Sequence, residues 1–322
     1  MPYDRDKNGH LKAGIRLPGW DYCQPWFYMI TLTVKNRRPV LGKIADGEMV
    51  LSPLGAEVAA AWKNLGAVFP AVEPCQWAVM PEHFHGIIWV RKRLASPLGE
   101  VIRSFKIAGS KANASLEKPC LFDGSPTFWF PGLYDTILFS KGQLKRMTAY
   151  ILNNAKRRWA VMQNPDLFRT TRNLEILPGK YGDAVGNHFL LDKPGKMLVQ
   201  VSRRADETEI AASVEQALLH ASRGGVVVSG CISPGEQAVA RAVREAGLPL
   251  IAIIPRGFGP YFKPSGDYFD ACERGNLLLI SPFPKISKTE RLTRERCFAI
   301  NAIAAEICGE DPALIHYRGS RP

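Results

Sequence analysis

An apolar stretch that contains two histidines, Trp77–Val90, constrains this chain more than any other segment. Its composition predicts a β-strand, in which successive side chains point to opposite faces. His83 and His85 would then share one face, whereas Phe84 would point into the opposite layer. Two imidazoles placed in this way suit a divalent cation. They equally fit a pair of surface histidines on a half-exposed strand, and the strand by itself leaves both interpretations open.

A second segment, residues 144–159, has the pattern of a helix, because apolar residues recur at spacings of three and four without Gly or Pro. Tyr150 and Asn154 would lie one turn apart on the same face of this helix. If that face packs on the histidine strand, two imidazoles and one amide oxygen would surround a metal beside a phenol. Such a site suits phosphoryl transfer, with the phenol as nucleophile. Taken alone, Tyr150 also fits a tyrosine packed at the edge of a core.

Two short motifs carry these side chains: Met-Pro-Glu-His-Phe-His at 80–85 and Tyr-Ile-Leu-Asn-Asn-Ala at 150–155. They resemble the histidine-hydrophobic-histidine strand and the Tyr-Ile-x-x-Asn-Pro helix of single-tyrosine HUH transposases, and specifically of REP-associated tyrosine transposases. Further motifs match in order from residue 14 to residue 160, among them Tyr22–Thr33, Leu98–Lys106 and Tyr134–Ile137. The resemblance therefore covers most of the first half of the chain.

The resemblance implies that Tyr150 is the catalytic nucleophile and that His83, His85 and Asn154 are metal ligands, with Mg²⁺ or Mn²⁺ as the only cofactor. Family members bind single-stranded DNA next to a hairpin. Attack of the tyrosine on the backbone leaves a 5′-phosphotyrosine and a free 3′-hydroxyl, and attack by another 3′-hydroxyl joins strands without ATP. The expected partners are single-stranded DNA and DNA hairpins, and the family includes both monomers and homodimers.

The chain departs from the family pattern at two positions beside these residues. Glu82 stands where the family usually has Asn, and Ala155 replaces the Pro that follows the ligand Asn. Neither change removes a reacting group, although Glu82 adds a carboxylate beside the expected site. A second tyrosine, Tyr134, ranks below Tyr150 as a nucleophile because no amide stands four residues after it.

The positive charge of the chain is concentrated in its first half. Residues 1–190 hold 25 Lys and Arg against 15 Asp and Glu, whereas the remainder holds 17 against 15. Cations neutralise phosphates and aromatic rings stack on unpaired bases, so cations interleaved with aromatics favour a nucleic-acid partner. A run of charge can also be a solvated surface. The expected DNA-binding residues are Arg91, Lys92, Arg93, Arg103, Lys106, Lys156, Arg157 and Arg158.

Length and composition indicate a globular protein with room for two cores, at 322 residues, 46% apolar and 22% charged. The sequence contains neither an apolar run long enough to span a membrane nor an N-terminal signal peptide, so we expect a cytoplasmic protein without a membrane partner. Seven scattered cysteines form no C-x-x-C pair, which argues against a zinc ribbon or a disulfide framework.

The second half alternates between strands and helices. Strands are expected at 197–201, 225–230, 249–254 and 276–281, and helices at 207–222, 234–246 and 267–274. This alternation predicts a parallel sheet covered on both faces. Residues 163–196 are rich in loop signals, such as Pro178–Gly182, and are expected to be a linker.

Several strand ends in this half, among them Val227–Gly230, Ala252–Phe258 and Gly275–Pro282, resemble the DNA-processing protein A family and its SLOG-type relatives. Those domains bind nucleotides or single-stranded DNA at the carboxyl ends of their strands, where open parallel sheets generally hold ligands. Small residues after a strand also serve turn geometry alone. The expected ligand crevice contains Ser229, Gly230, Arg256, Gly257, Arg294 and Arg296.

Together these patterns predict an α+β HUH domain at 1–162, with a ferredoxin-like antiparallel sheet and packed helices, and an α/β Rossmann-like, SLOG-type domain at 197–322. Two functions fit. One is metal-dependent cleavage and strand transfer of single-stranded DNA, in transposition or in the processing of repeat-associated hairpins. The other is a non-catalytic hairpin-binding protein or nucleotide sensor that retains the fold.

Overall fold

The structure, a computed structural model, describes residues 17–287 and 289–312. The chain divides into two compact units between Met162 and Gln163. The outer ends of the two expected domains, residues 1–16 and 313–322, lie outside the described residues. None of the helices within these ranges combines the length and the apolar character that crossing a bilayer requires.

The first unit is built on a four-stranded sheet in the order β4-β5-β1-β6, in which every neighbouring pair is antiparallel. A separate antiparallel hairpin is formed by β2 and β3. The strands are β1 (Phe27–Thr33), β2 (Gly42–Ala45), β3 (Glu48–Leu51), β4 (Val72–Met80), β5 (His83–Val90) and β6 (Tyr134–Ile137). The helices are α1 (Pro53–Lys63), α2 (Leu65–Val68), α3 (Leu98–Ala114), α4 (Gln143–Leu152) and α5 (Asn154–Gln163).

The two faces of this sheet have different roles because side chains alternate along each strand. On one face, Tyr28, Ile30, Phe84 and Ile88 join the main core, to which α1 and α3 also contribute. Gly86 lies on this face between Phe84 and Ile88, and its missing side chain leaves room for the buried ring of Trp62 in α1. The main core therefore lies entirely behind the face that carries the histidines.

The opposite face carries a smaller apolar cluster under α4. Met29 and Ile87 from the sheet contact Ile151, and Leu144 and Met147 pack against the same cluster. These three residues of α4 are the apolar positions whose spacing predicted the helix. The cluster fixes α4 against the face on which His83 and His85 lie.

The second unit contains a six-stranded mixed sheet in the order β7-β8-β12-β11-β10-β9. Strands β9 to β12 are mutually parallel, and the hairpin of β7 and β8 joins β12 in antiparallel fashion. The strands are β7 (Thr171–Leu177), β8 (Lys180–Gly186), β9 (Lys196–Val199), β10 (Val226–Ser229), β11 (Leu250–Ile253) and β12 (Leu277–Ser281). The helices are α6 (Glu207–Ser222), α7 (Pro234–Glu245), α8 (Asp267–Glu273) and α9 (Arg294–Cys308).

The helices of the second unit cover both faces of this sheet, as the sequence predicts. Residues of α6, α7 and α8 pack in one apolar cluster, and residues of α9 pack in another on the other face. Helices α6 and α7 each begin with a capping box, at Asp206 and Ser233 respectively, which explains why their starts were predictable. Each strand and helix predicted for residues 197–281 is present within one to two residues of its expected ends.

The prediction of a linker at 163–196 was wrong, because β7 and β8 lie within it and extend the sheet of the second unit. The loop signals that suggested a linker are the turns around this hairpin. Gly179, for example, adopts a φ of +71° in the two-residue connection between β7 and β8. Buried Ile176 and Ala184 belong to the core, so the segment is part of the folded unit.

Gly86→Ala is expected to destabilise the first unit by about 1–3 kcal/mol, because overpacking a well-filled core carries a cost of this order. A Cβ at this position would lie 2.3 Å from Cζ2 of Trp62, whereas a Cβ at Gly66 would come no nearer than 3.3 Å to another atom. Gly66→Ala is therefore the control. All seven tryptophans belong to the first unit, so urea unfolding followed by tryptophan fluorescence reports on it. Equal effects of both changes would contradict this packing.

Candidate functional site

The register between β1 and β5 places the two histidines beside two threonines. Thr31 pairs with His85, and Thr33 pairs with His83. The imidazole rings of His83 and His85 lie 4.6 Å apart between centroids and are nearly perpendicular. Phe84, between them, is fully buried in the main core. The two histidines therefore share one face of the sheet, as predicted.

Helix α4 brings the predicted nucleophile to this face. The Tyr150 ring lies 5.6 Å from the His85 ring between centroids, edge to face. The next residue, Ile151, is buried in the cluster that holds α4 on the sheet. Tyr150 itself remains 38% exposed, so its ring borders the histidines and is still accessible to a ligand.

The prediction of one continuous helix over 144–159 was wrong, because the chain leaves helical geometry at Asn153, with φ −93° and ψ 4°. The Asn153 side chain donates a hydrogen bond to the carbonyl of Ala149, and asparagine competes in this way with the hydrogen bonds of a helix. Asn154 is therefore the first residue of α5. It is buried, and its side chain is close enough to lower the pKa of Tyr150, so the two remain neighbours across the break.

The His85 imidazole is buried and uncharged. Burial is the main cause that lowers its pKa from 6.5 to about 3, and the neighbouring His83 adds to the effect. Its Nδ1 lies 2.8 Å from Oγ1 of Thr31, at hydrogen-bonding distance. No local sequence pattern indicates Thr31, because only the pairing of β1 with β5 reveals the contact. A neutral imidazole in this position can offer a lone pair to a cation.

The Tyr150 phenol has a raised pKa, chiefly because burial disfavours its charged form. The polar side chain of Asn154 and the positive charge of Arg157 both oppose this rise. The phenol is thus protonated at neutral pH in the metal-free protein. Arg157 is one of the expected DNA-binding residues, and its effect on Tyr150 places it at the site.

Glu82, the residue that departs from the family pattern, contacts His83 directly. Its Oε1 lies 3.5 Å from His83 Nδ1. The pKa of the Glu82 carboxyl is lowered, first by this polar contact with the imidazole and then by the charges of His83 and Arg158, while burial opposes the shift. The carboxylate therefore lies between the histidine and the start of the basic helix α5.

The side chains that the resemblance assigns to a metal fit a cation by their chemistry, because each imidazole offers a nitrogen lone pair and the amide offers its oxygen. Nδ1 of His83 and Nδ2 of Asn154 are buried without a hydrogen-bond partner, which is uncommon in folded proteins. Within residues 17–287 and 289–312, no three His, Cys, Asp or Glu side chains form a group that could hold a metal. The candidate metal ligands in the described residues are therefore the two imidazoles and the one amide.

The eight expected DNA-binding residues do not form one surface. Lys156, Arg157 and Arg158 follow Asn154 in α5, and the charges of Arg157 and Arg158 act on Tyr150 and Glu82 respectively. Residues 91–93 lie beyond the other end of β5, where Arg91 contacts Glu73 and Arg93 contacts Asp21. Arg103 and Lys106 belong to α3, which packs on the opposite face of the sheet, and line a groove of about 490 Å³ there. Of these eight expected residues, Arg157 and Arg158 are the two whose charges act on side chains of the candidate site.

The second tyrosine is closer to the site than its sequence position suggests. Tyr134 in β6 pairs with Thr31, which in turn pairs with His85 in β5. The three residues form one row across neighbouring strands, and strands are spaced about 4.8 Å apart. Tyr134 is therefore two strands away from His85, whereas the Tyr150 ring contacts it directly.

The six residues of the expected ligand crevice in the second unit are engaged within the protein. Arg296 donates hydrogen bonds to the carbonyls of Pro255 and Pro284, and Arg256 donates to the carbonyls of Ser287 and Glu290. Arg256 and Arg296 thus link neighbouring loops through these carbonyls. The Ser229 hydroxyl accepts a hydrogen bond from the Cys231 amide, and the Arg294 guanidinium lies over the ring of Phe298. Gly230 and Gly257 are so tightly surrounded that an added Cβ would lie within 3 Å of a neighbouring atom.

The topology of this sheet also differs from the arrangement that makes a ligand crevice. Ligands of open parallel sheets bind where the strand order reverses. Strands β9, β10, β11 and β12 are instead neighbours in simple chain order, without reversal among them. The carboxylate of Glu236 accepts hydrogen bonds from the amides of Ile232 and Ser233 at the start of α7, so this helix end is capped by its own chain.

Comparison with known proteins gives the same two groups that the sequence motifs resemble. No family model matches the chain. An uncharacterized protein of Haemophilus influenzae is 28% identical over 165 residues, which span 45% of this chain and 88% of that protein. Among solved structures, a REP-associated tyrosine transposase bound to a REP hairpin is 18% identical with a TM-score of 0.33, over 45% of this chain and 74% of its own. DNA processing protein A from Helicobacter pylori, studied for its binding of single-stranded DNA, is 21% identical with a TM-score of 0.33, over 44% of this chain and 65% of its own.

We expect His85 to make the first unit less stable as the pH falls from about 6.5. The folded-state pKa lies below the ordinary value, so the unfolded chain binds the proton first and is favoured in acid, by up to about 1.4 kcal/mol per pH unit. The loss continues until the pH reaches the folded value of about 3. His85→Asn removes the titrating group, and its stability should change less between pH 7 and pH 5. Urea unfolding with EDTA, followed by tryptophan fluorescence, measures both proteins. An identical pH dependence would refute the assignment.

Proposed function

We propose that the first unit cleaves single-stranded DNA next to a hairpin and transfers the strand through a 5′-phosphotyrosine on Tyr150. The observation that carries this proposal is the convergence of His83, His85, Tyr150 and Asn154, which come from a strand and two helices, on one side of the sheet. A protein that only binds hairpins needs no such set of groups. In this function the unit is an HUH-type endonuclease and strand transferase that acts in transposition or in the processing of repeat-associated hairpins.

The reaction proceeds by displacement at a backbone phosphorus. The Tyr150 oxygen forms a bond to phosphorus, and the bond from phosphorus to the 3′-oxygen breaks. The phenol loses its proton in this step and the departing 3′-oxygen gains one, so that a 3′-hydroxyl is released. Asn154 and Arg157 both favour the ionised phenol, which is the better nucleophile. The contact of Tyr150 with His85 holds the phenol beside the imidazoles. Attack of another 3′-hydroxyl on the phosphotyrosine reverses the step and joins the strands.

His83, His85 and Asn154 are the residues that would hold the cation. When bound, a divalent cation would polarise the phosphate and stabilise charge on the departing oxygen. Imidazole suits the later transition metals better than it suits Mg²⁺, whereas an amide oxygen suits Mg²⁺ and Mn²⁺. The mixed donor set therefore favours Mn²⁺ over Mg²⁺.

The cations of α5 supply contacts for the DNA backbone. Lys156, Arg157 and Arg158 begin two residues after Asn154, and the charge of Arg157 reaches Tyr150. Arg158 also offsets part of the negative charge that Glu82 brings to the site. Neutralising phosphates in this position would favour a strand lying across the phenol.

Tyr150→Phe should abolish the covalent adduct that forms when the protein is incubated with Mn²⁺ and an oligonucleotide carrying a hairpin with a 5′ flank. The substitution removes only the attacking oxygen and keeps the ring that contacts His85. Denaturing gel electrophoresis of labelled DNA detects the adduct. Tyr134→Phe is the matched control, because Tyr134 lies in the same row of the sheet two strands from His85. An undiminished adduct in Tyr150→Phe, or its loss only in Tyr134→Phe, would move the nucleophile away from Tyr150.

His83→Ala should reduce cleavage at least tenfold, which corresponds to about 1.4 kcal/mol of barrier, while the affinity for the hairpin falls much less. A metal ligand acts on the departing charge rather than on the binding of the hairpin. Single-turnover cleavage and a fluorescence-anisotropy titration of the same oligonucleotide measure the two quantities. If both decline equally, the histidines support the structure and the hairpin-binding function is favoured instead.

A further inference from the structure

Each imidazole of the candidate site has its Nδ1 next to an oxygen of a neighbouring side chain. Nδ1 of His85 lies 2.8 Å from the Thr31 hydroxyl oxygen. Nδ1 of His83 lies 3.5 Å from a carboxylate oxygen of Glu82 and, among the described residues, has no hydrogen-bond partner. Both oxygens belong to residues to which the resemblance gives no role.

The two ring contacts described above are both made by Nδ1, so Nε2 is the other atom through which each ring can bind a cation. A neutral imidazole carries one N–H and one bare nitrogen, and the hydrogen bond at one nitrogen sets the state of the other. The positions of Thr31 and Glu82 therefore bear on which nitrogen of each ring can bind a cation.

We propose that Thr31 and Glu82 are positioning residues that hold both imidazoles with hydrogen on Nδ1, so that each ring presents a bare Nε2 to the same cation. A carboxylate can only accept a hydrogen bond, so the contact with Glu82 favours hydrogen on Nδ1 of His83. The Thr31 hydroxyl can accept a hydrogen bond from Nδ1 of His85. Metal-binding histidines commonly donate their second N–H to such an oxygen, which fixes the orientation of the ring.

Both oxygens belong to half-buried residues whose backbone is held by strand pairing. Thr31 is in the interior of β1, with β5 on one side and β6 on the other. Glu82 occupies the two-residue turn between β4 and β5, and its side chain is 14% exposed. The sheet and this short turn therefore place both oxygens next to the imidazoles.

The inference rests on the proposed function for the identity of the site, but its first test involves neither DNA nor metal. In full-length protein treated with EDTA and carrying ¹⁵N-labelled histidine, NMR distinguishes the nitrogen with hydrogen from the bare one. Both His83 and His85 should carry hydrogen on Nδ1. Thr31→Val should move the hydrogen of His85 to Nε2 without changing His83, and Glu82→Leu should do the reverse. Thr31→Ser retains the hydroxyl and should keep the original state of His85.

The second test measures the affinity for Mn²⁺ from the electron paramagnetic resonance signal of the free ion. Loss of such a supporting group typically weakens metal binding 10–100-fold, so Thr31→Val should reduce the affinity by at least tenfold and Thr31→Ser should restore most of it. Thr136→Val, at an exposed position on the edge strand β6, is the control and should leave the affinity unchanged. Tryptophan fluorescence during urea unfolding identifies any variant that has lost its fold.

Hydrogen on Nε2 of either histidine in the unsubstituted protein would overturn the proposal, as would an unchanged tautomer and Mn²⁺ affinity in a folded Thr31→Val protein. These outcomes are separable from a failure of the proposed function. If the tautomers and the affinity behave as expected and no phosphotyrosine adduct forms, the site binds metal without cleaving DNA. If an adduct forms and the tautomers differ, catalysis stands and only the positioning role is lost.

Discussion

The antiparallel pairing of β1 with β5 is the constraint on which the candidate site depends. One register places Phe84 in the main core and His83 and His85 on the opposite face, because the side chains of a strand alternate. The same register aligns Thr31 with His85 and, through β6, with Tyr134. A shift of one residue would exchange the faces, burying both imidazoles among apolar residues and exposing Phe84. The stability of the core therefore fixes the position of the polar site.

The second requirement is that α4 packs on that polar face. Ile151, with Leu144 and Met147 beside it, contacts Met29 and Ile87, and this small cluster brings Tyr150 to His85. The break at Asn153 then redirects the chain, so that α5 starts with Asn154 against Tyr150 and continues into three successive cations. The apolar contacts thus determine where the phenol, the amide and the basic residues meet the imidazoles.

The second unit contrasts with this organisation. Its parallel strands β9 to β12 follow one another in chain order, and β10, β11 and β12 are buried along their whole length. At the start of α7, where a sheet of this kind could receive an anion, the carboxylate of Glu236 accepts hydrogen bonds from two backbone amides. Arg256 and Arg296, which the sequence suggested as ligand contacts, donate hydrogen bonds to backbone carbonyls of neighbouring loops.

The sequence alone determined the strands and helices of residues 197–281, because their apolar periodicity, capping boxes and glycine turns are local signals. It also determined which four side chains to examine in the first unit. Only the tertiary structure decided that these side chains meet, that Thr31 and Glu82 contact the imidazoles, and that the expected linker is a hairpin of the sheet. The physical reason is that strand pairing and the packing of α4 depend on contacts between residues far apart in the chain. The break at Asn153 depends on a balance between its side-chain hydrogen bond and the hydrogen bonds of the helix, which the apolar pattern does not record.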